Sequence, residues 1–364
     1  MRLLGLRVSS FRNLKNLELT PGARFNVFYG NNGQGKTNLL ESIYLLSTMK
    51  SFKLARNAEL ITFGADFSLI RGVVEKDCVK RDISLLLEKQ GKKGKVDGKI
   101  ATRMDDFFGN LNVVVFTPEE ISMVRGAPEL RRRYLDRAVF TGDLGYLALF
   151  HDYSKILKNR NALLKRGELS GLDVWSEQLA HAAAGVVARR VAYLEEMQGL
   201  LQFFYKQISG NDEEVVLSYR LNLMEREAYL ADPEETLLKT LKAHAAEEKR
   251  RGTTVAGPHR DDIYFALDGR PVRHFGSQGQ QRSFVLALKM AEIEYLHRRF
   301  GAPPVLLLDD MTSELDRERN ANLMEFLKNR EMQVFITTTA LQNVPFEEGA
   351  QHRAFQIREG RILH

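Results

Sequence analysis

The chain has 364 residues, of which 44% are hydrophobic, with a single cysteine and a net charge of +6 at pH 7. A chain of this length can form two domains or one large domain with an insertion, and one cysteine (Cys78) excludes an intrachain disulfide and a cysteine-based metal cluster. Because no apolar run approaches the ~18 residues of a membrane-spanning helix and the N-terminus has the pattern of a strand, not of a signal peptide, we expect a soluble, cytoplasmic protein without a membrane partner. The basic charge is compatible with a polyanionic partner but does not identify one.

The N-terminal part predicts strands and a helix around a glycine-rich loop. Residues 2–20 predict two short strands around a turn at 10–13, and Phe25–Tyr29 predicts a third strand. Apolar residues between 39 and 46 are spaced for one face of a helix. The loop between this strand and this helix contains Gly30, Asn31, Asn32, Gly33, Gln34, Gly35, Lys36 and Thr37.

A strand, a glycine loop and a helix form the setting in which the spacing G-x-x-x-x-G-K-[ST] makes a phosphate-binding P-loop. Glycines allow the backbone to approach a phosphate, and the N–H groups of the loop and of the helix N-terminus present partial positive charge. Lys36 is expected to contact the β- and γ-phosphates, and the Thr37 hydroxyl to bind Mg²⁺. The sequence therefore predicts a site for ATP and Mg²⁺ at residues 30–37.

Further strands are predicted at 68–74 and 80–88, where apolar residues alternate, and at Val113–Phe116, which is continuously apolar. The lysine-rich stretch 90–99 predicts a hairpin or an exposed loop. Residues 117–120 then place a threonine before a proline and two glutamates, which indicates the start of a helix.

From there to about residue 250 apolar residues recur at helical spacing. The sequence therefore predicts a mostly helical inserted lobe at 118–250, interrupted by a strand at 215–221. Basic residues are frequent at its start, and they form either a solvated face or a nucleic-acid surface. These residues are Arg125, Arg131, Arg132, Arg133, Arg137, Lys155, Lys158, Arg160, Lys165 and Arg166.

The C-terminal part predicts strands alternating with helices, and thus an α/β fold in which 1–117 and 251–364 form one head. The predicted elements are a strand at 263–267 with a tight turn at 268–269, a long helix from about 278, a buried strand at 305–308, a helix at 317–328 and a strand at 333–337. Asp309 and Asp310 follow the buried strand. Beside a P-loop, such a pair suits ATP hydrolysis, with Asp309 on Mg²⁺ and Asp310 polarising the attacking water.

The segment 277–281, which we call the signature segment, begins the long helix with Ser-Gln-Gly-Gln-Gln. A helix N-terminus is suited to an anion, and the chain already has one P-loop. We therefore expect this segment to close over a γ-phosphate bound by a second copy of the chain. The alternative is an ordinary helix cap at Ser277, although a glycine in the first turn weakens a helix.

The P-loop, the signature segment, Leu-Leu-Leu-Asp-Asp at 306–310 and Ser-Glu-Leu-Asp at 313–316 resemble the ABC-type ATPases. More narrowly, they resemble the RecF family of bacterial recombination mediators, which is related to the SMC group. The resemblance covers essentially the whole chain, because it extends to the segments 11–13, 116–120, 126–128, 131–133 and 257–262.

This resemblance implies an ABC-type head with a mixed sheet and an ATP-dependent homodimer that hydrolyses ATP slowly. It also implies binding to duplex, single-stranded and gapped DNA, and cooperation with RecR and RecO in loading the recombinase. The implied roles are recombinational repair, replication restart and SOS induction, in a cytoplasmic, nucleoid-associated protein. By position in the family, the signature residues are Ser277, Gly279 and Gln280. Asp316 corresponds to the D-loop, which lies near the dimer interface in the family.

The sequence departs from the wider ABC pattern at two positions. The second acidic residue is Asp310, an aspartate as in RecF-like proteins, whereas transporters have a glutamate there. At the position of the switch histidine the chain has a Thr-Thr-Thr run, 337–339. Both departures favour a slow switch over a fast motor.

Two alternatives share the ATPase motifs. A transporter ATPase subunit does not need the long segment between P-loop and signature. An OLD-type nuclease requires a separate acidic metal cluster after the ATPase, and we expect Asp261 and Asp262 to form an exposed acidic turn or to have a structural role beside Arg260 instead.

Overall fold

A computed structural model describes residues 1–168, 170–310, 315–344, 349 and 351–363. The chain divides into two compact units, one formed by Met1–Ile121 with Glu292–His364 and one formed by Ser122–Ala291. The second unit thus contains the signature segment, which the sequence analysis assigned to the head. The domain boundaries at 118 and 250 stay a prediction.

The strands and helices follow the predicted alternation. The strands are β1 Arg2–Phe11, β2 Leu14–Leu19, β3 Phe25–Tyr29, β4 Phe67–Lys76, β5 Val79–Glu88, β6 Gly91–Val96, β7 Lys99–Ile100, β8 Val113–Phe116, β9 Val215–Arg220, β10 Asp262–Leu267, β11 Arg270–Pro271, β12 Val305–Leu308, β13 Val334–Thr338, β14 Arg353–Arg358 and β15 Arg361–Leu363. The helices are α1 Lys36–Thr48, α2 Asn57–Leu60, α3 Met104–Phe107, α4 Pro118–Arg125, α5 Pro128–Gly142, α6 Gly145–Arg166, α7 Leu172–Ser209, α8 Arg226–Ala231, α9 Pro233–Ala243, α10 Ala245–Arg251, α11 Val272–Phe275, α12 Gln278–Phe300 and α13 Arg317–Lys328.

The sheet that positions the site has the order β15-β14-β3-β13-β12-β8. All of its strands except β15 run parallel to their neighbours. Parallel strands buried on both faces have continuous apolar sequences, and β8 and β12 are buried along their whole length. Their carboxyl ends meet at one edge, where β3 continues into the P-loop and β12 continues into Asp309 and Asp310.

A second sheet of the same unit is antiparallel, with the order β2-β1-β4-β5-β6-β7. The stretch 90–99 is a hairpin, because β6 pairs with β5 and β7 returns along β6. Buried and exposed residues alternate along β4, as expected for a strand with one face on the core. Helix α1 packs against strands of both sheets, and nearly all of its residues are buried, so the helix that starts at the P-loop forms the centre of this unit's core.

The second unit is mostly helical and also contains the antiparallel sheet β11-β10-β9. The strand expected at 215–221 is β9, and the tight turn at 268–269 connects β10 to β11. The described residues include no helix with the length and hydrophobicity that crossing a membrane requires.

Two of the basic residues near the start of the helical lobe belong neither to a solvated face nor to a nucleic-acid surface. Arg160 is 2% exposed and forms an ion pair of 2.7 Å with Glu248, which is 1% exposed. Arg131 is 4% exposed and donates two hydrogen bonds of 2.8 Å to Asp262. Both guanidinium groups therefore hold elements of this unit together and are not available to DNA.

The segment 257–262 is structural. The Asp261 side chain is fully buried, and it accepts hydrogen bonds of 2.8 Å from the Tyr219 hydroxyl and the Asn222 N–H. The expectation of an exposed acidic turn is therefore wrong for Asp261, because these donors replace the water that the carboxylate loses. Burial raises the pKa of Asp261 to about 6 and lowers the pKa of His259 to about 4.

The buried Arg160–Glu248 pair gives a prediction for stability. Replacing Arg160 by methionine leaves the Glu248 carboxylate buried without its countercharge, which costs about 3–5 kcal/mol. The double variant Arg160→Met/Glu248→Leu removes both charges, so we expect it to recover most of that loss. Urea denaturation measures both free energies of unfolding. Arg166→Met, at the exposed end of the same helix, is the control and should lose little stability. A loss in Arg160→Met as small as that of this control would contradict the role of the buried ion pair.

Candidate nucleotide-binding site

The P-loop is held closed by its own lysine. Lys36 donates from Nζ to the carbonyl oxygens of Gly30 and Asn31 at 2.6 and 2.9 Å, and it is only 8% exposed. The loop is therefore preformed around the ammonium group, which lies at the N-terminal end of α1 beside the backbone that would surround a phosphate.

Two glycines of the loop are required by close packing. A Cβ at Gly30 would collide with the Ile357 carbonyl of β14, and a Cβ at Gly35 would lie 2.8 Å from the side-chain amide of Asn13. Both glycines also have positive φ, 142° and 111°, a conformation that other residues rarely adopt. The glycines thus serve the fit of the loop into the protein as well as its approach to a phosphate.

The two predicted halves of the site meet at one carboxylate oxygen. Asp309 Oδ1 accepts a hydrogen bond of 2.8 Å from the Thr37 hydroxyl and another of 2.8 Å from the Thr337 hydroxyl. The contacts are possible because β3, β13 and β12 are adjacent parallel strands that end at the same edge. A threonine hydroxyl and a carboxylate oxygen are hard oxygen ligands of the kind that Mg²⁺ prefers, so these residues fit the predicted metal.

The electrostatics of the site favour a bound cation next to the carboxylate. Burial raises the pKa of Asp309, against the hydrogen bonds from Thr337 and Thr37 and the nearby positive charge of Lys53. Burial also lowers the pKa of Lys36, and the charges of Asp310 and Asp309 oppose this shift. An anion at Lys36 and a cation at Asp309 would each stabilise the charged form of its neighbour.

Asp310 has a left-handed backbone conformation, with φ of 49°. Its N–H donates to the Thr337 hydroxyl at 2.9 Å, so Thr337 bridges both aspartates of the pair. Aspartate is among the non-glycine residues that adopt this conformation most readily. The Thr-Thr-Thr run at the predicted position of the switch histidine thus begins with a residue that binds the Asp309 carboxylate and the Asp310 backbone.

Sequence reasoning did not predict the contacts that support the P-loop. Asn13 accepts a hydrogen bond of 2.9 Å from the Asn38 side chain, in addition to its packing at Gly35. Gln34 accepts from the Glu359 N–H through its side chain at 2.7 Å and from the Gly360 N–H through its carbonyl at 2.9 Å. Turns far apart in the sequence therefore clamp the loop, and no local pattern indicates such contacts.

Arg12 and Glu41 form a further support behind the loop. The Arg12 guanidinium binds both oxygens of Glu41, with Nη2–Oε1 at 3.1 Å, and the Glu41 side chain is fully buried in α1. Ser51 donates to the same carboxylate. No local pattern indicated this pair, because at 100° per residue Glu41 lies on the side of the helix opposite to Leu39 and Ile43 of the predicted apolar face.

The signature segment belongs to the second unit and forms a capping box. The Gln280 N–H donates to Ser277 Oγ at 3.1 Å, and the Ser277 N–H donates to Gln280 Oε1 at 2.8 Å. Ser277 is thus the helix cap that the sequence left as the alternative role. In that role the Ser277 hydroxyl only accepts a hydrogen bond, so its own hydrogen can still be donated to a ligand. The roles of Ser277, Gly279 and Gln280 at a nucleotide stay a prediction.

Part of the predicted D-loop lies outside the described residues, namely Ser313 and Glu314. Asp316 is described, and it caps α13 by accepting from the Arg319 N–H at 2.9 Å. Its expected place near a dimer interface stays a prediction.

Comparison with known proteins gives the family. The sequence matches the model of the RecF/RecN/SMC N-terminal domain over residues 2–360. The DNA replication and repair protein RecF of Geobacter sp. strain M21 is 69% identical over 363 residues, which cover 100% of both chains.

Two solved structures bear on the fold. The recombination mediator protein RecF-ATP in the RecFOR pathway has a TM-score of 0.90 and 33% identity, with 99% of this chain and 96% of that chain covered. An SMC head bound to the C-terminal winged-helix domain of ScpA has a TM-score of 0.55 and 15% identity, with 100% and 98% covered. The predicted fold, an ABC-type P-loop ATPase head with a mixed sheet, is confirmed.

The closed P-loop gives a prediction for Lys36. Lys36→Met removes the ammonium group, so we expect loss of ATP-dependent behaviour, because the γ-phosphate loses a charge-assisted contact. In Lys36→Arg we expect ATP binding with little turnover, since a planar guanidinium fits the loop differently. Binding of a fluorescent ATP analogue and phosphate release measure the two steps. Undiminished hydrolysis in Lys36→Met would refute the P-loop assignment.

Proposed function

The chain belongs to the RecF family of ABC-type P-loop ATPases, and from that premise we propose that it is an ATP-dependent DNA-binding protein of replication and repair. The observation that carries this proposal is the Thr37–Asp309 contact, which joins the two halves of an ATP site. Relatives that match the whole chain are RecF proteins, so the transporter subunit and the OLD-type nuclease are set aside.

In the proposed cycle, the P-loop N–H groups and Lys36 bind the β- and γ-phosphates of ATP, and Thr37 and Asp309 hold Mg²⁺. When bound there, Mg²⁺ would neutralise the negative charge that develops on the β-phosphate as the γ-phosphoryl group passes to water. Asp310 orients the attacking water, and the hydrogen bond from its N–H to Thr337 fixes the backbone that carries its carboxylate. Faster enzymes have the longer glutamate at the position of Asp310. Because this chain has the shorter aspartate, we expect slow turnover of ATP.

ATP also joins two protomers in this proposal. Ser277 and Gly279 of one chain close over the triphosphate held by Lys36 of the other, and two such contacts related by a two-fold axis complete the dimer. The capping box supports this role, since the Ser277 hydroxyl hydrogen and the first N–H groups of α12 remain for an anion.

DNA is the proposed partner, together with RecR and RecO type mediators, in recombinational repair, replication restart and SOS induction. With Arg131 and Arg160 committed to ion pairs, the exposed basic residues of α6 are the best candidates for a phosphate contact. At 100° per residue they lie within about 100° of one another around the helix. They are Lys155, Lys158, Lys165 and Arg166.

The first prediction from this function concerns salt. We expect nucleotide-dependent binding to duplex and gapped DNA that weakens steeply with salt, because lysine and arginine displace condensed counterions. Lys158→Gln/Lys165→Gln should reduce the slope of log K against log salt by about two. Fluorescence anisotropy measures it, with Lys242→Gln/Lys249→Gln on other helices as the charge-matched control. A slope unchanged in Lys158→Gln/Lys165→Gln would show that α6 is not part of the DNA interface. A wild-type affinity that does not depend on salt would contradict DNA binding by charge.

The second prediction concerns assembly. Ser277→Arg places a bulky cation where the γ-phosphate of the other protomer would lie, so dimerisation should be lost while ATP binding to the monomer remains. Asp310→Asn removes the group that orients water, so ATP should persist and the dimer should accumulate. Light scattering with ATP measures both variants. Normal ATP-dependent dimerisation of Ser277→Arg would show that the signature segment does not act on the other protomer.

A further inference from the structure

Glu213 lies in the short connection between α7 and β9 and contacts the signature segment. Its Oε1 accepts a hydrogen bond of 2.6 Å from the Gln280 amide nitrogen, and its Oε2 accepts one of 2.9 Å from the Tyr205 hydroxyl. Both oxygens of the carboxylate are therefore engaged, one by the helical lobe and one by the first turn of α12.

The position of Glu213 is set by two glutamines of α7. Gln202 donates to the Glu213 carbonyl at 3.0 Å and accepts from the Val215 N–H at 2.7 Å. Gln198 donates to the Val215 carbonyl at 2.6 Å and accepts from the Leu217 N–H at 2.7 Å. The long helix thus fixes the backbone that carries the carboxylate.

The carboxylate also decides how the Gln280 amide is oriented. A glutamine side chain presents a donor and an acceptor that are nearly identical in shape, and only hydrogen-bond partners distinguish its two orientations. Glu213 can only accept, so the amide nitrogen of Gln280 must face it. The amide oxygen then faces the Ser277 N–H, as the capping box requires.

We propose that Glu213 is a positioning residue for the signature segment, holding Gln280 so that the Ser277 hydroxyl and the first N–H groups of α12 are aligned for a phosphate. It does not touch nucleotide. The inference rests on the proposed function, in which this segment closes over ATP bound by a second protomer. It makes the end of α7 part of the ATP-dependent interface, because a shift of α7 would reach Ser277 through one carboxylate and one amide.

Glu213→Ala removes the acceptor that holds the Gln280 amide nitrogen, so the Gln280 side chain can leave the Ser277 N–H and open the capping box. We expect the dissociation constant of the ATP-bound dimer to rise about tenfold, the loss of roughly one hydrogen bond. Binding of ATP to the monomer should be unchanged, since the P-loop is intact. Glu213→Gln should restore much of the dimer, because its amide oxygen can accept from Gln280 while its nitrogen donates to Tyr205.

Analytical ultracentrifugation with ATP gives the dimer affinity, and a fluorescent ATP analogue gives binding to the monomer. Glu214→Ala is the matched control, because Glu214 is the exposed neighbouring residue with the same charge. In a Gln280→Ala background Glu213→Ala should have no additional effect, since Glu213 acts through Gln280. A wild-type affinity in Glu213→Ala, a loss equal to that of Glu214→Ala, or additive effects with Gln280→Ala would each overturn the proposal.

Amide hydrogen exchange on the monomer separates this inference from the proposed function. Faster exchange at 277–281 in Glu213→Ala than in Glu214→Ala is expected whether or not ATP joins two protomers. A wild type that stays monomeric with ATP would refute the proposed function and with it the role of Glu213 in assembly. A dimerising wild type with unchanged exchange and affinity in Glu213→Ala would refute the positioning role alone.

Discussion

The buried carboxylate of Asp309 is the group on which the site depends. One of its oxygens accepts from Thr37 on the P-loop helix and from Thr337 on the intervening strand, so three segments distant in sequence converge on one atom. A charge buried to this extent is tolerated only with such donors, and burial nevertheless raises its pKa. A bound cation would therefore offset the remaining desolvation cost of the Asp309 carboxylate. A bound anion would do the same for the buried ammonium group of Lys36 in the P-loop.

The parallel order of β3, β13 and β12 makes this convergence possible, and close packing keeps it rigid. Gly30 and Gly35 let the loop lie against Ile357 and Asn13, where any side chain would collide. The helical unit is built on a similar principle, since Arg160 is almost fully buried and is engaged by Glu248 and the Thr254 hydroxyl. In both units, buried polar groups specify which elements meet.

The sequence predicted what depends on local pattern. Phe25–Tyr29 and Val305–Leu308 are continuous apolar strands, the P-loop has fixed spacing, and the capping threonine and proline at 117–118 mark a helix start. It could not predict contacts between distant turns, such as Gln34 with Glu359 and Gly360, because nothing local encodes them. For Asp261 it left an exposed turn and a structural role open, and the structure supports the structural role, because Tyr219 and Asn222 supply the donors that permit burial. Glu213 gave no signal at all, because its partner Gln280 is far away in the sequence.

The central claim is that each ATP site is built from the P-loop of one protomer and the signature segment of another. Mixing the two single variants Lys36→Met and Ser277→Arg tests it most directly, because each alone should be inactive. In a mixed dimer one site combines the intact P-loop of one chain with the intact signature segment of the other, whereas neither variant alone can form such a site, so a mixture in equal amounts should hydrolyse ATP clearly faster than either variant alone. Hydrolysis that stays at the level of the separate variants would contradict the account.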